Sequence, residues 1–245
     1  MHILGKEARR AIKRVTLGWR WQVADRAPNW LRQSLGTPAS YLDMLFIDHG
    51  IFRMVYLNRH TIDGKAWRSA QPAPHHIGAF SKLGIRTVVN LRGERLCGSY
   101  LLERRACERH GIKLVNFQVR SRAAPSRAEL RAARDLFESI EYPMLMHCKS
   151  GADRAGMMSV LYRHLREGVP IAEARQQLSL RYGHIRQADT GILDAFFDRY
   201  LSDTAQRPMD LFEWIETVYD PDELKQTFKA DTWATRLTGS VLRRE

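Results

Sequence analysis

The stretch MLMHCKSGADRAG, residues 144–156, decides how the rest of the chain is read. Met144 to His147 follow the break at Pro143 and read as a short buried strand, while Met158, Leu161, Tyr162 and Leu165 give Arg154 to Glu167 the i, i+3, i+4, i+7 spacing of a helix. Five residues, KSGAD, separate Cys148 from Arg154. A tight loop between a strand end and a helix start turns successive backbone N–H groups inward. The helix N-terminus adds partial positive charge, and Gly151 relieves the backbone where a positive φ is needed. Arg154 supplies a planar fork matched to two oxygens of a tetrahedral anion. A cysteine facing such a nest is favoured as thiolate, because helix N-termini and nearby cations lower a thiol pKa from about 8.5 to roughly 3.5–7.5. An ionised sulfur behind an oxyanion site is a nucleophile aimed at phosphorus.

Outward from this stretch, Pro and Gly punctuation separates alternating elements. His75 to Leu83 reads as a helix stopped by Gly84, Ile85 to Leu91 as a buried β-branched strand, Tyr100 to His110 as a helix ended by Gly111, and Lys113 to Val119 as the next strand. Ser126 with Glu129 three residues on is a capping box that opens a helix running to about Glu141. Two further helices are expected, about Ile171 to Tyr182 and Thr190 to Leu201. The alternation predicts an α/β domain over residues 60–202, with a central, mostly parallel sheet flanked by helices. Residues 1–59 form a basic N-terminal extension, whose apolar run Tyr41 to His60 is expected to pack on the core. Residues 203–245 form an acidic C-terminal extension reading as two helices split at Asp220 and Pro221.

The formal charge of +12 is uneven: residues 1–60 hold ten Lys/Arg against four Asp/Glu, residues 203–245 only six against nine. A basic body favours anionic partners. No RNP-like aromatic motif or zinc-finger spacing is present, so nucleic acid is not the expected partner. Cys97, Cys107 and Cys148 are too few for a disulfide scaffold and show no metal-ligand spacing, so neither metal nor other cofactor is expected. No apolar run approaches the roughly 18 residues of a membrane span, and the first residues lack a secretory apolar stretch. The expected location is the cytoplasm. Leu4, Ala8, Ile12, Val15 and Trp19 nevertheless share a helical face opposed by Lys6, Arg9, Arg10, Lys13 and Arg14. That basic amphipathic helix either docks on its own domain or lies peripherally on the acidic inner membrane surface.

His147, Cys148, Gly151, Arg154 and Gly156 match the H-C-x-x-G-x-x-R-x-G signature, and the chain thereby resembles the cysteine-dependent protein tyrosine and dual-specificity phosphatases. WRSAQP (Trp67 to Pro72) and GIRTVVNLR (Gly84 to Arg92) are similar to the start of the compact bacterial and fungal dual-specificity-like members. The resemblance spans about residues 60–202 and implies a phosphotyrosine-phosphatase-like fold. It also implies a metal-independent hydrolysis in which Cys148 forms a phosphocysteine. Arg154 with the loop Lys149, Ser150, Gly151 and Ala152 would hold the phosphoryl oxygens. Phosphotyrosine or another aryl phosphate on protein is the leading substrate. A phosphoinositide or phospholipid headgroup is second, suggested by Lys149, Asp153 and the basic N-terminal end.

Two departures from the family pattern are visible. The general-acid Asp expected some tens of residues before the cysteine is missing, since Arg95 to Arg134 contain no Asp and the loop that should carry it reads RSRAAPS (Arg120 to Ser126). Asp153 inside the signature loop is the favoured acid; Glu94 or Glu103, or weak acid catalysis altogether, are the alternatives. Ala155 stands where Ser or Thr is usual, which predicts a slow second step. Both departures leave room for a phosphate-binding pseudophosphatase.

Overall fold

The computed structural model describes residues 38, 40–48, 50–95 and 97–229. The basic amphipathic helix near the N-terminus falls outside these residues. Among those described, five strands form one sheet: β1 (His60–Thr61), β2 (Ala66–Ala70), β3 (Thr87–Asn90), β4 (Lys113–Asn116) and β5 (Met144–Cys148), in the order β1-β2-β5-β3-β4. Only β1 is antiparallel to its neighbour; β2, β5, β3 and β4 run parallel. The strand read as ending at His147 is therefore the centre of the sheet, with Cys148 opposite Ala70 and His147 opposite Asn90.

Helices cover both faces, which is why β3 and β5 are buried at every residue and read as near-continuous apolar runs. We number the helices α1 (Gly50–Val55), α2 (Pro74–Lys82), α3 (Gly98–Arg109), α4 (Arg127–Ser139), α5 (Asp153–Glu167), α6 (Ile171–Ala174), α7 (Ile192–Asp203) and α8 (Leu211–Thr217). Successive strand residues alternate between two cores. Val88 and Leu145 join Ile77 and Phe80 of α2 and Ala106 and Cys107 of α3. Val89, Met144 and Met146 join the larger cluster with Phe137 of α4, Leu161 of α5, and Phe196 of α7. Each fully buried side chain of this size contributes about 1.5–3 kcal/mol. The acidic extension enters the same core, where Trp214 and Tyr219 pack against Phe196 with ring centroids 5.7 and 5.0 Å away.

The capping box forms as read, with Ser126 Oγ accepting from the Glu129 amide at 3.2 Å and the Glu129 carboxylate accepting from the Ser126 amide at 2.8 Å. Asp220 and Pro221 separate α8 from a helix over residues 221–229. One reading needs correction. The expected helix from Ile171 to Tyr182 is broken into α6 and two single turns, Arg175–Gln177 and Leu180–Tyr182. Its carbonyls are used elsewhere: Gln177 O accepts from the Arg68 guanidinium at 2.7 Å and Tyr182 O from the Asn58 amide at 2.8 Å. Strand β2 was not foreseen. Its centre is Arg68, a charged residue that is fully buried.

Candidate active site

The sheet ends its central strand at Cys148, and the chain passes through Lys149 to Ala152 into α5, so the anion loop rests directly on β5 and β2. Gly151 has φ +74°, and a Cβ there would lie 2.6 Å from the Ala70 nitrogen and the Ser69 carbonyl carbon. Both the left-handed backbone and the close approach require glycine.

Three successive carbonyls of the loop are tied down. Ser150 O accepts from Asn58 Nδ2 at 2.9 Å, Gly151 O from Arg68 Nη2 at 2.7 Å, and Ala152 O from the same Nη2 at 2.9 Å. In a planar trans peptide the N–H points opposite its carbonyl. The N–H groups of Gly151, Ala152 and Asp153 are therefore turned away from Asn58 and Arg68, and α5 begins at that point with its own unpaired N-terminal donors. That orientation is the one an anion nest requires. Arg68 is held by Gln177 on its other side, through the carbonyl at 2.7 Å and Oε1 at 2.9 Å, and its guanidinium lies 4.1 Å from the Tyr182 ring centroid. Burial pulls this guanidinium down to about 10, with Cys148, Tyr182 and Asp153 acting to raise it, so it stays charged at neutral pH beneath the loop.

Above the loop lies a cleft of about 700 Å³. Lys149, Ser150, Asp153 and Arg154 form one wall, Gln118 to Ala123 another, and Arg53, Arg95 and Thr190 complete it. Cys148 is 1% exposed and is not among the residues that line the cleft, although Lys149 and Ser150 directly after it are. Arg154 Nε is buried and has no hydrogen-bond partner among the described residues, which leaves a donor for an anion. Among the described residues the lining carries cations from four segments and a single carboxylate, Asp153. Arg95 is pulled down by burial and by repulsion from Arg92 and Arg154. At the rim, Asp48 gathers Arg53 at 2.9 Å, Arg92 at 2.7 Å, Ser99 at 2.8 Å and Lys149 at 3.6 Å. Burial opposes its ionisation, but Arg92, Arg53 and the Ser99 hydroxyl outweigh that and hold it well below the usual carboxylate range.

Of the residues singled out from sequence, Lys149, Ser150, Asp153 and Arg154 meet at the cleft, while Gly151 and Ala152 are buried and do not line it. The loop Arg120 to Ser126 also reaches it but brings no acid. Glu103 is fully buried on α3, 2.6 Å from His147 Nε2 without hydrogen-bond alignment and 2.8 Å from Gln71, away from the cleft lining. Glu94 is exposed and off the lining, and Ala155 is fully buried. Sequence reading missed Arg68, Asn58 and His184. The last is buried with Nδ1 2.7 Å from Asp153 Oδ1 and Nε2 2.6 Å from Asp194 Oδ2.

The family model described as a DSP-PTPase phosphatase fused to NAD+ kinase matches residues 55–191, more than half of the chain. Similar solved structures include TpbA of P. aeruginosa, 20% identical over 70% of this chain and 90% of that one with a TM-score of 0.49. PTPMT1 is 16% identical over 61% and 99%, with a TM-score of 0.44. The core catalytic domain of the PP-IP phosphatase SIW14 from S. cerevisiae is 19% identical over 62% and 94%, with a TM-score of 0.44. No curated protein matches the chain. Among the described residues no helix is long and apolar enough to cross a membrane.

Proposed function

The chain belongs to this DSP-PTPase family and is a cysteine-dependent phosphatase, and from that premise we propose that Cys148 is its nucleophile and Arg154 its phosphoryl clamp. The observation that carries this is the pinning of the Ser150, Gly151 and Ala152 carbonyls by Asn58 and Arg68, which leaves the opposite N–H groups, starting three residues after a buried cysteine, free to meet an oxyanion together with Arg154. Cys148 sulfur attacks phosphorus, the ester oxygen leaves with a proton, and water then cleaves the S–P bond. The N–H groups and Arg154 hold the equatorial oxygens, whose charge is greatest at the trigonal transition state. Asp153, as the carboxylate of the cleft wall, is the acid for the leaving oxygen. No step needs a metal.

The leading substrate is a phosphorylated protein, with phosphotyrosine favoured because an aryl oxide leaves readily. A second reading, a phosphoinositide headgroup, is favoured by the cations that line the cleft beyond Arg154, including Arg122 and Lys149. Hydrolysis of para-nitrophenyl phosphate, a phosphotyrosyl peptide and a soluble multiply phosphorylated inositol headgroup, all in EDTA, separates these readings. Arg122→Ala is expected to raise KM for the headgroup about tenfold if a second phosphate binds there, the loss of one charge-assisted hydrogen bond. Its KM for para-nitrophenyl phosphate should change little. Equal KM changes on the two would remove the second reading, and loss of all hydrolysis in EDTA would remove the metal-independent mechanism.

A further inference from the structure

His184 lies 1% exposed between two carboxylates, within hydrogen-bond distance of Asp153 at the start of α5 and of Asp194 in the first turn of α7. These are the titratable groups that face the ring; Asp153 also acts electrostatically on the Arg68 guanidinium. Each ring nitrogen meets a carboxylate oxygen, so both contacts are hydrogen bonds only when two protons are shared among the three groups. Either the imidazole carries both and the two carboxylates are ionised, or Nε2 keeps one while the other has moved to Asp153. The two arrangements differ by one proton hop over 2.7 Å. An ionised carboxylate has no proton to give; one bonded to an imidazole that holds the proton can pass it on.

We propose that His184, oriented by Asp194, is the proton store for Asp153, so that the three side chains replace the acid missing from the loop at Arg120 to Ser126. This rests on the reading of Asp153 as the acid. In the first step the S–P bond forms, the P–O bond breaks, and the Nδ1 proton of His184 passes to Asp153 and on to the leaving oxygen, so that Asp153 ends ionised and Nδ1 bare. Nε2 keeps its proton and its hydrogen bond to Asp194. In the second step water forms the new P–O bond as the S–P bond breaks, and its proton returns through Asp153 to Nδ1. Burial of the ring opposes its charge, but hydrogen bonds to Asp153 and Asp194 outweigh this and push it up to about 9. The store is filled at neutral pH and empties as pH rises through that value. His184 touches no substrate and is a positioning residue, so its test needs a readout that mere structural support would not move.

The readout is the leaving group. His184→Gln, Asp194→Asn and Asp153→Asn are compared with the wild type on phenyl phosphate, whose oxygen needs a proton, and on 2,4-dinitrophenyl phosphate, whose oxygen does not, across pH. His184→Gln is expected to lower kcat/KM on phenyl phosphate about 10²-fold and at least about tenfold more than on the dinitrophenyl ester. The alkaline limb near pH 9 should vanish, and adding His184→Gln to Asp153→Asn should cost little more. Asp194→Asn should show the same leaving-group bias, a smaller effect that serves if His184→Gln does not fold. Equal losses on both esters with a pH profile of wild-type shape would overturn the relay. A leaving-group bias in Asp153→Asn that is absent from His184→Gln and Asp194→Asn would overturn the relay while keeping Asp153 as acid. No bias in Asp153→Asn would overturn both.

Discussion

Cys148→Ser is expected to lower kcat/KM on para-nitrophenyl phosphate by at least about 10⁴-fold while leaving the protein folded and able to bind vanadate or phosphate. Removing a nucleophile outright costs an enzyme of comparable mechanism about that much or more. The substitution is nearly isosteric, and the elements that shape the nest do not depend on the sulfur: the loop carbonyls are held by Asn58 and Arg68, and Gly151 is seated against β2. A hydroxyl cannot take over, because a serine needs an adjacent base and the carboxylate of the cleft is engaged with His184. Steady-state kinetics together with calorimetric titration of vanadate checks both halves. Full activity in Cys148→Ser would remove the nucleophile assignment, and loss of anion binding with activity would leave a structural role in its place.

Arg68→Met is expected to cost about 3 kcal/mol of stability, because two loop carbonyls and the Gln177 carbonyl lose a charged donor in a site that water does not reach. For a chain of this size that is a fall in Tm of roughly 6–12 °C. Below the new Tm, kcat/KM should still fall, by about 10²-fold. Freed from Arg68, the peptides after Gly151 and Ala152 can rotate, and each amide that turns away removes a donor from the transition state. Thermal unfolding and kinetics at one temperature, well below both midpoints, separate the two effects. An Arg68→Met enzyme as active as the wild type would show that the loop holds its shape without the guanidinium.

The parts of the site that were legible in the sequence are those made by neighbours along the chain. The strand before Cys148, the five-residue loop, the helix after it and the Ser126–Glu129 cap are local patterns, and each forms where it was read. What escaped is long-range. Arg68 reads as a surface residue in a short, mixed segment, and only the pairing of β2 with β5 brings it under a loop more than eighty positions away. Asn58 and Gln177 act through a side-chain amide and a backbone carbonyl, neither of which leaves a periodic signal. The helix expected over Ile171 to Tyr182 has helical composition, but Gln177 O and Tyr182 O bond Arg68 and Asn58 instead of continuing it. His184 lay in a stretch with no pattern, and nothing short of the fold places it between Asp153 and Asp194. The missing upstream Asp was visible, and it is the reason the single carboxylate of the cleft carries weight.

The phosphocysteine itself is the most direct test. Ala155 offers no hydroxyl beside the loop, so breakdown of the intermediate is expected to be slower than its formation. Rapid-quench mass spectrometry of the enzyme mixed with excess para-nitrophenyl phosphate should then show a burst of nitrophenol approaching one equivalent. A phosphoryl adduct should be confined to the peptide containing Cys148. A burst with the adduct on another residue, or turnover with no covalent adduct at any quench time, would contradict the account.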